Sequence, residues 1–543
     1  LVIILSIIVA MLGLYLVAKS DAVRVEALDS ITAAELESIV SFLASDEMRG
    51  REAGTIANEI AARYLAHSFE LLGLEPAGDD GSYYQHVKLT RSQMGDDNEF
   101  GFTDSAADQT VKGEVLSDFS PSRYSGKAEA SGQLAFVGYG ITAPELDYDD
   151  YQGIDVRGKI AVILEREPGL EDPQSPFEGL VSSDYSRAPY KIMNAQEHGA
   201  VGVILTPPST NGRRSRSPWG KDGEARGFGL DFWSSDVEIP AVQASRSFFD
   251  KILKDAVDID EIVKRIDDRL EPESLQLERF QATIRTDVTQ EQFQVENVLA
   301  KLPGSDPLVK HEAVLISAHF DHVGARENRI YNGADDDASG TAAILEIAEA
   351  FVQSPVRPRR TIVFSLWNAE EKGLLGARYY VHRPRFALQD TVGVLQLDMI
   401  GRNQEVNNPE DRRFAGLEAQ SSEENEDSLH LLGYSRSSDM RQLVEQNNSE
   451  IGIELMYDLD NHPLKLIARS DHWPFLLKGV PAVLFTTGLH PDYHQTSDTA
   501  DKINYPKMER VTRLVFLCTW DLANQSTRPA LDERVLSHER DNR

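Results

Sequence analysis

The carboxy-terminal half of the chain repeatedly pairs histidine with carboxylates where runs of apolar residues end. The run AVLISAH ends in His319, with Asp321 two residues on in AHFDHVG. GADDDASG supplies Asp335, Asp336 and Asp337, and TIVFSLW runs into Glu370 and Glu371 in NAEEKGLLGA. VGVLQLD ends in Asp398, and PAVLFT is followed by His494 in YHQTSDT. Singly, each has an ordinary explanation: an acid at a helix start caps it, a Glu-Glu pair faces solvent, and a lone His is a satisfied polar group. Gathered at one edge of one sheet, the carboxylates would repel one another and carry raised pKa values. Bound divalent cations are the natural compensation. The single cysteine, Cys518, excludes an intrachain disulfide and any Cys-based zinc cluster. His and carboxylate donors without thiolate suit a catalytic zinc site, ahead of cobalt or manganese.

The elements that would bring these residues together are legible from periodicity. From about Glu296, buried-strand runs (AVLISAH, TIVFSLW, VGVLQLD, PAVLFT) alternate with helix-like runs (ASGTAAILEIAEAFVQ, KGLLGARYYV, SSDMRQLVEQNN, YPKMERVTRLVFLCTWDLANQ). That alternation predicts an α/β fold, a mainly parallel or mixed sheet sandwiched by helices. In such sheets the site lies at the carboxyl ends of the strands, where the candidate residues fall. Residues 31–74 read as two helices around the loop SDEMRGREAG, and residues 83–115 as irregular. Between about 120 and 267, short β-like runs (GQLAFVGYG, GKIAVILERE, AVGVILT, IPAVQAS) and one helix-like segment (YKIMNAQEHG) mark a β-rich insert.

The chain has 543 residues, long for a single core. The expected division is residues 1–20 as signal peptide or membrane anchor, 21–119 and 271–525 as one domain, 120–270 as the insert, and 526–543 as a charged tail. Leu1–Ala18 is almost wholly apolar and precedes Lys19, so the protein is expected to be exported, periplasmic or secreted, with any membrane association through that segment left uncleaved. With 55 Lys and Arg against 88 Asp and Glu, the formal charge is −33, which argues against a nucleic-acid partner. There is no GxSxG elbow, HExxH or Walker loop.

Six motifs in order, AHFDHVG, GADDDASG, NAEEKGLLGA, LQLDM, RSDHWPF and YHQTSDT, resemble those of the M28 family of di-zinc metallopeptidases. The insert resembles a protease-associated (PA) domain, through DVRGKIAVILERE and NAQEHGAVGVILT. The resemblance implies two zinc ions per chain, one held by His319 and Asp398, the other by Glu371 and His494, with Asp336 bridging. It implies Glu370 as the general base acting on the metal-bridging water, and Asp321 as the group that orients His319. Asp335 and Asp337 are read as helix-start acids. Met399 matches a position whose backbone contacts substrate. Family aminopeptidases carry an oxyanion-stabilising Tyr where this chain has Ile467, so Arg469 or His472 is expected to take that part.

The function expected is that of a zinc aminopeptidase acting on peptides. The alternatives are a carboxypeptidase or dipeptidase of the same family, which would need an Arg or Lys cluster for the substrate carboxylate, and a non-catalytic receptor-like relative. A single-zinc glutaminyl-cyclase-like acyltransferase is disfavoured by the complete second ligand set. Arg326, Arg402 and Arg469 are too scattered in sequence to form the cluster.

Overall fold

The computed structural model describes residues 27–170, 172, 175–209, 217–253 and 257–533. The apolar run Leu1–Ala18 and the end of the charged tail lie outside them. Among the described residues no helix is long and apolar enough to cross a membrane.

The chain forms two compact units, one built from residues 27–87 and 294–533, the other from Lys88–Phe293. In the first, strands β1 (Val288–Leu302), β2 (Ala313–His319), β3 (Thr361–Trp367), β4 (Thr391–Leu397), β5 (Ser428–Leu432), β6 (Glu454–Met456) and β7 (Ala482–Thr486) make a mixed sheet. Its order is β1-β3-β2-β4-β7-β5-β6. β3, β2, β4 and β7 are mutually parallel, whereas β1 and β5 run antiparallel to their neighbours β3 and β7. The chain leaves β2 for β3 on one side and returns to place β4 on the other. The strand order therefore reverses at β2, and a crevice opens at the carboxyl ends there.

The parallel strands are buried on both faces, as their unbroken apolar runs require. Val314, Ile316 and Ala318 pack with Ile362, Phe364 and Leu366 under helices Ala33–Leu43, Ile56–Leu71, Gly340–Gln353 and Tyr505–Asn524. The alternate residues Leu315, Val363, Trp367 and Val394 pack under helices Leu375–His382 and His472–Leu477 through Tyr380 and Phe475. Thr32 and Thr55 cap the first two helices, accepting the N–H groups of Glu35 and Asn58 at 3.3 Å. Cys518 is buried in the Tyr505–Asn524 helix, away from any thiol chemistry.

The second unit is an α/β layer of its own, with the parallel order Ala128–Val137, Ile160–Leu164, Gly202–Thr206, Ala241–Ala244 at its centre. It is wider at both ends than the 120–270 span read from the sequence. The strand Glu99–Asp104 pairs antiparallel with Ser274–Thr286, from Asp104 opposite Phe280 to Glu99 opposite Arg285. Phe100 and Phe102 point from that strand into a core shared with Phe136, Val162 and Phe248. Residues 83–115 thus contain regular strands, Tyr84–Met94, Glu99–Asp104 and Gln109–Lys112, where the sequence pattern looked irregular. The Gly and Asp residues between them hid an alternation that cross-strand pairing enforces.

Candidate metal centre

Each candidate side chain sits where the sheet places it. His319 is the last residue of β2, Asp398 follows β4 directly, and Glu370 and Glu371 lie on the turn after β3. Asp336 belongs to a single wide turn, Ala334–Ser339, that leads into the Gly340–Gln353 helix. His494 lies on the loop after β7. Ala369, Met399 and His494 hold left-handed backbones with φ of 57°, 57° and 56°. Each costs about 1–2 kcal/mol in a residue with a Cβ, and such strain gathers where side chains must be aimed.

The side chains converge on Asp336. One of its oxygens, Oδ1, lies 3.2 Å from His319 Nε2, which is also 3.6 Å from Asp398 Oδ1. Its other oxygen, Oδ2, lies 3.1 Å from His494 Nε2, which is 3.1 Å from Glu371 Oε2. Two donor clusters therefore flank one carboxylate, and His319, Asp336, Glu371, Asp398 and His494 are all brought together. His322, which composition alone did not assign, joins the second cluster. Its Nδ1 lies 2.8 Å from Glu371 Oε1 and 3.7 Å from Asp336 Oδ2. His319 Nε2, both ring nitrogens of His322 and Glu371 Oε1 are buried and make no hydrogen bond. Nitrogen and oxygen donors that face one another at 2.8–3.9 Å without hydrogen-bond alignment fit a shared cation rather than each other.

Electrostatics tell the same story. Burial disfavours a charged His319, yet Glu370, Asp398 and Asp336 hold its pKa well above the ordinary imidazole value. Burial works against Asp336 too, but His322, His319 and His494 keep it well below the carboxylate range. Burial, opposed by His319 and reinforced by Asp471, Glu371 and Asp398, pushes Glu370 well above that range. Glu371, also disfavoured by burial, is drawn down to about 2 by His322 and His494. Adjacent in sequence, Glu370 and Glu371 have opposite surroundings. Glu370 lines the neighbouring pocket, whereas Glu371 faces the imidazoles.

Asp321 is fully buried and holds Glu370 rather than His319 with its carboxylate. Asp321 Oδ1 accepts the Glu370 N–H at 3.0 Å, while His319 Nδ1 lies 3.0 Å from the Asp321 carbonyl oxygen and 3.8 Å from Oδ1. The orienting contact expected of this residue is thus made by its backbone. Asp335 and Asp337 do more than start a helix. Asp337 accepts N–H groups from His319 at 3.1 Å, Gly340 at 2.8 Å and Met399 at 3.3 Å, tying the ends of β2 and β4 to the helix. Asp335 accepts from Gly401 at 2.6 Å and faces His490 Nε2 at 3.1 Å. Asp498 accepts the N–H groups of Asp335 and Asp336 at 3.1 and 3.2 Å. Arg51, buried in the SDEMRGREAG loop, donates to the carbonyls of Phe320, Asn332 and Gly333 at 2.8–2.9 Å, and burial lowers its pKa to about 10.

A pocket opens on the cluster. Its lining includes Asp336, Glu370, Asp398, Arg469, Tyr493 and His494, together with five leucines. Met399 lines the pocket, its N–H donating to Asp337 at 3.3 Å and its carbonyl accepting from the Thr487 hydroxyl at 3.0 Å. His472 does not line it. That ring is fully buried in the helix His472–Leu477, its pKa pushed down to about 3 by burial. Tyr493 supplies a hydroxyl that sequence reasoning passed over, although it adjoins His494.

Residues 297–519 match the model of peptidase family M28, and residues 124–252 that of the PA domain. A probable zinc metalloprotease of Pyricularia oryzae is 29% identical over 281 residues, covering 45% of this chain and 54% of that protein. Leupeptin-inactivating enzyme 1 of Streptomyces exfoliatus is 28% identical over 207 residues, 38% of each chain. The chain spans about half the length or less of these curated relatives. Among solved structures, an aminopeptidase from Aneurinibacillus sp. strain AM-1 aligns with a TM-score of 0.49 at 22% identity, covering 94% of this chain and 98% of that one.

Replacing Asp337 with Ala leaves three buried N–H groups without their acceptor. At about 1–3 kcal/mol for each unsatisfied group, the expected loss of unfolding free energy in urea is about 3 kcal/mol or more. A loss under about 1 kcal/mol would show that Asp337 does not hold these strand ends.

Proposed function

Residues 297–519 place this chain in peptidase family M28, with a PA domain ahead of them, and from that premise we propose that it is a zinc-dependent aminopeptidase. The single observation that carries the mechanism is the opposite facing of two adjacent acids. Glu371 shares the second cluster with His494 and His322, and Glu370 faces the pocket unpaired with either imidazole of that cluster. In this reading His319 and Asp398 would hold one zinc and Glu371 and His494 the other, with Asp336 shared between them.

Two zinc ions so held would polarise the scissile carbonyl and acidify the attacking water. Glu370, fixed through its own N–H to Asp321, accepts the proton from that water at its carboxylate and returns it to the leaving amine. Arg469 and Tyr493 line the pocket, and in this reading they would donate to the developing oxyanion in place of the missing Tyr at Ile467. Burial keeps the Tyr493 hydroxyl protonated, so it remains a donor.

The pocket favours an amino terminus over a carboxylate. Arg402 is spent on Asp492 at 3.0 Å and Arg326 on Glu52 at 2.6 Å, which leaves Arg469 as the one arginine among the lining residues. The five leucines in its lining suit an apolar first side chain. The apolar segment Leu1–Ala18 is the basis for proposing export.

Glu370→Ala is expected to lower kcat for an aminoacyl-nitroanilide by about 1,000-fold while zinc remains near two per chain. Loss of zinc in that variant would mean that base and ligand are assigned the wrong way round. Leucyl and phenylalanyl substrates are expected to exceed aspartyl and lysyl ones by about tenfold or more in kcat/KM, the worth of a filled apolar wall. A preference for acidic carboxy-terminal dipeptides would contradict the aminopeptidase reading.

A further inference from the structure

The unit Lys88–Phe293 carries a cavity with no part in the chemistry above, and what it binds can be argued without that reading. Strands Ile160–Leu164, Gly202–Thr206 and Ala241–Ala244 are parallel and adjacent, and the helix Ala188–Glu197 connects the first two. Open sheets of this kind bind ligands outside the carboxyl ends of their strands. There the structure has a cavity of about 260 Å³ lined by Glu165, Arg166, Ser182, Ser186, Lys191 and Gln243, among others.

Its floor is charged and buried. Lys191 is 1% exposed, and its Nζ donates to the carbonyls of Leu164, at 3.0 Å, and Tyr139. An ammonium has three N–H bonds, so one is left over. The acids behind it are spent on the protein. Asp150 accepts the N–H groups of Tyr139 and Ile141 at 3.1 and 3.0 Å and the Tyr148 hydroxyl at 3.0 Å. Glu167 accepts the Ser183 N–H at 2.8 Å and the Ser183 hydroxyl.

Glu165 is different. It is half-buried at the end of its strand, and among the described residues its carboxylate accepts no hydrogen bond. Neither the Arg166 guanidinium nor the Gln243 amide has a hydrogen-bond partner among them. Glu165 and Gln243 are partly buried and Arg166 is exposed, and groups of both signs line one volume, with the charges of Arg166 and Lys191 acting on Glu165. A simple anion would meet Glu165, and a simple cation would meet Lys191, Arg166 and the positive end of the helix.

We infer that this cavity binds a small zwitterion, an α-amino acid or a dipeptide. Its ammonium is taken by Glu165 and its carboxylate by Arg166 and the spare N–H of Lys191, with Ser182 and Gln243 left for the polar groups between.

The test is calorimetric titration of the zinc-loaded full chain with leucine, N-acetyl-leucine and leucinamide, repeated on Glu165→Gln and Arg166→Ala. Neither variant touches the metal centre, so hydrolysis of a leucyl-nitroanilide should stay within twofold of the parent, which also verifies folding. The expected result is a leucine-binding event that each variant weakens by at least tenfold and that neither blocked analogue reproduces. Leucine isotherms that superimpose for the parent and both variants would overturn the proposal. So would equal binding of N-acetyl-leucine or leucinamide at that event.

Discussion

The first unit is organised around a repulsion. Asp321, Asp335, Asp336, Asp337, Glu370 and Glu371 are held within a buried edge of one sheet, and Asp398 beside them is nearly as enclosed. Two like charges 4 Å apart repel by about 4 kcal/mol at the effective dielectric of a protein site. A fold that packs so many carboxylates must answer them, and it does so in two ways. Asp321, Asp335 and Asp337 are answered by backbone N–H groups: those of Glu370, of Gly401, and of His319, Gly340 and Met399. Asp336, Glu371 and Asp398 are answered by imidazoles that also point at two shared positions, which is the arrangement of a metal centre.

Those two answers depend on each other. The backbone-bound acids act as stitches between β2, β4 and the turn that carries Asp336, so they fix the distances on which the donor clusters depend. Arg51 does the same from the amino-terminal loop, crossing to the carbonyls of Phe320, Asn332 and Gly333. Such a web explains how left-handed backbones at Ala369, Met399 and His494 persist, because strain of this kind survives only where its surroundings over-determine it. The same geometry separates Glu370 from Glu371. One short turn after β3 aims neighbouring carboxylates in different directions, and that difference is what would let one bind metal and the other move a proton.

Much of this was legible in the sequence, and for a definite reason. A parallel strand buried on both faces is an unbroken apolar run, and the polar residue that ends it lies at the sheet's carboxyl edge. The apolar runs alone therefore place His319, Asp398 and Glu370–Glu371 together. What could not be read depends on loops. His322 and Tyr493 adjoin recognised motif residues, but only a folded loop shows that they face the cluster. The Asp337 and Asp498 hydrogen bonds join backbone groups far apart in sequence, and no periodicity encodes them. His472, which sits beside a motif serine, was expected near substrate and is instead buried in a helix. The strand Glu99–Asp104 was missed because its short alternation becomes regular only against a partner about 180 residues away, as for Phe102 opposite Ala282.

The central claim is that one buried carboxylate, Asp336, divides two cation positions. Anomalous diffraction at the zinc edge, on crystals grown with zinc, tests it most directly. The account predicts two peaks of comparable occupancy on either side of Asp336, one beside His319 and Asp398, the other beside Glu371 and His494. A single peak, or a peak coordinated by Glu370, would contradict it.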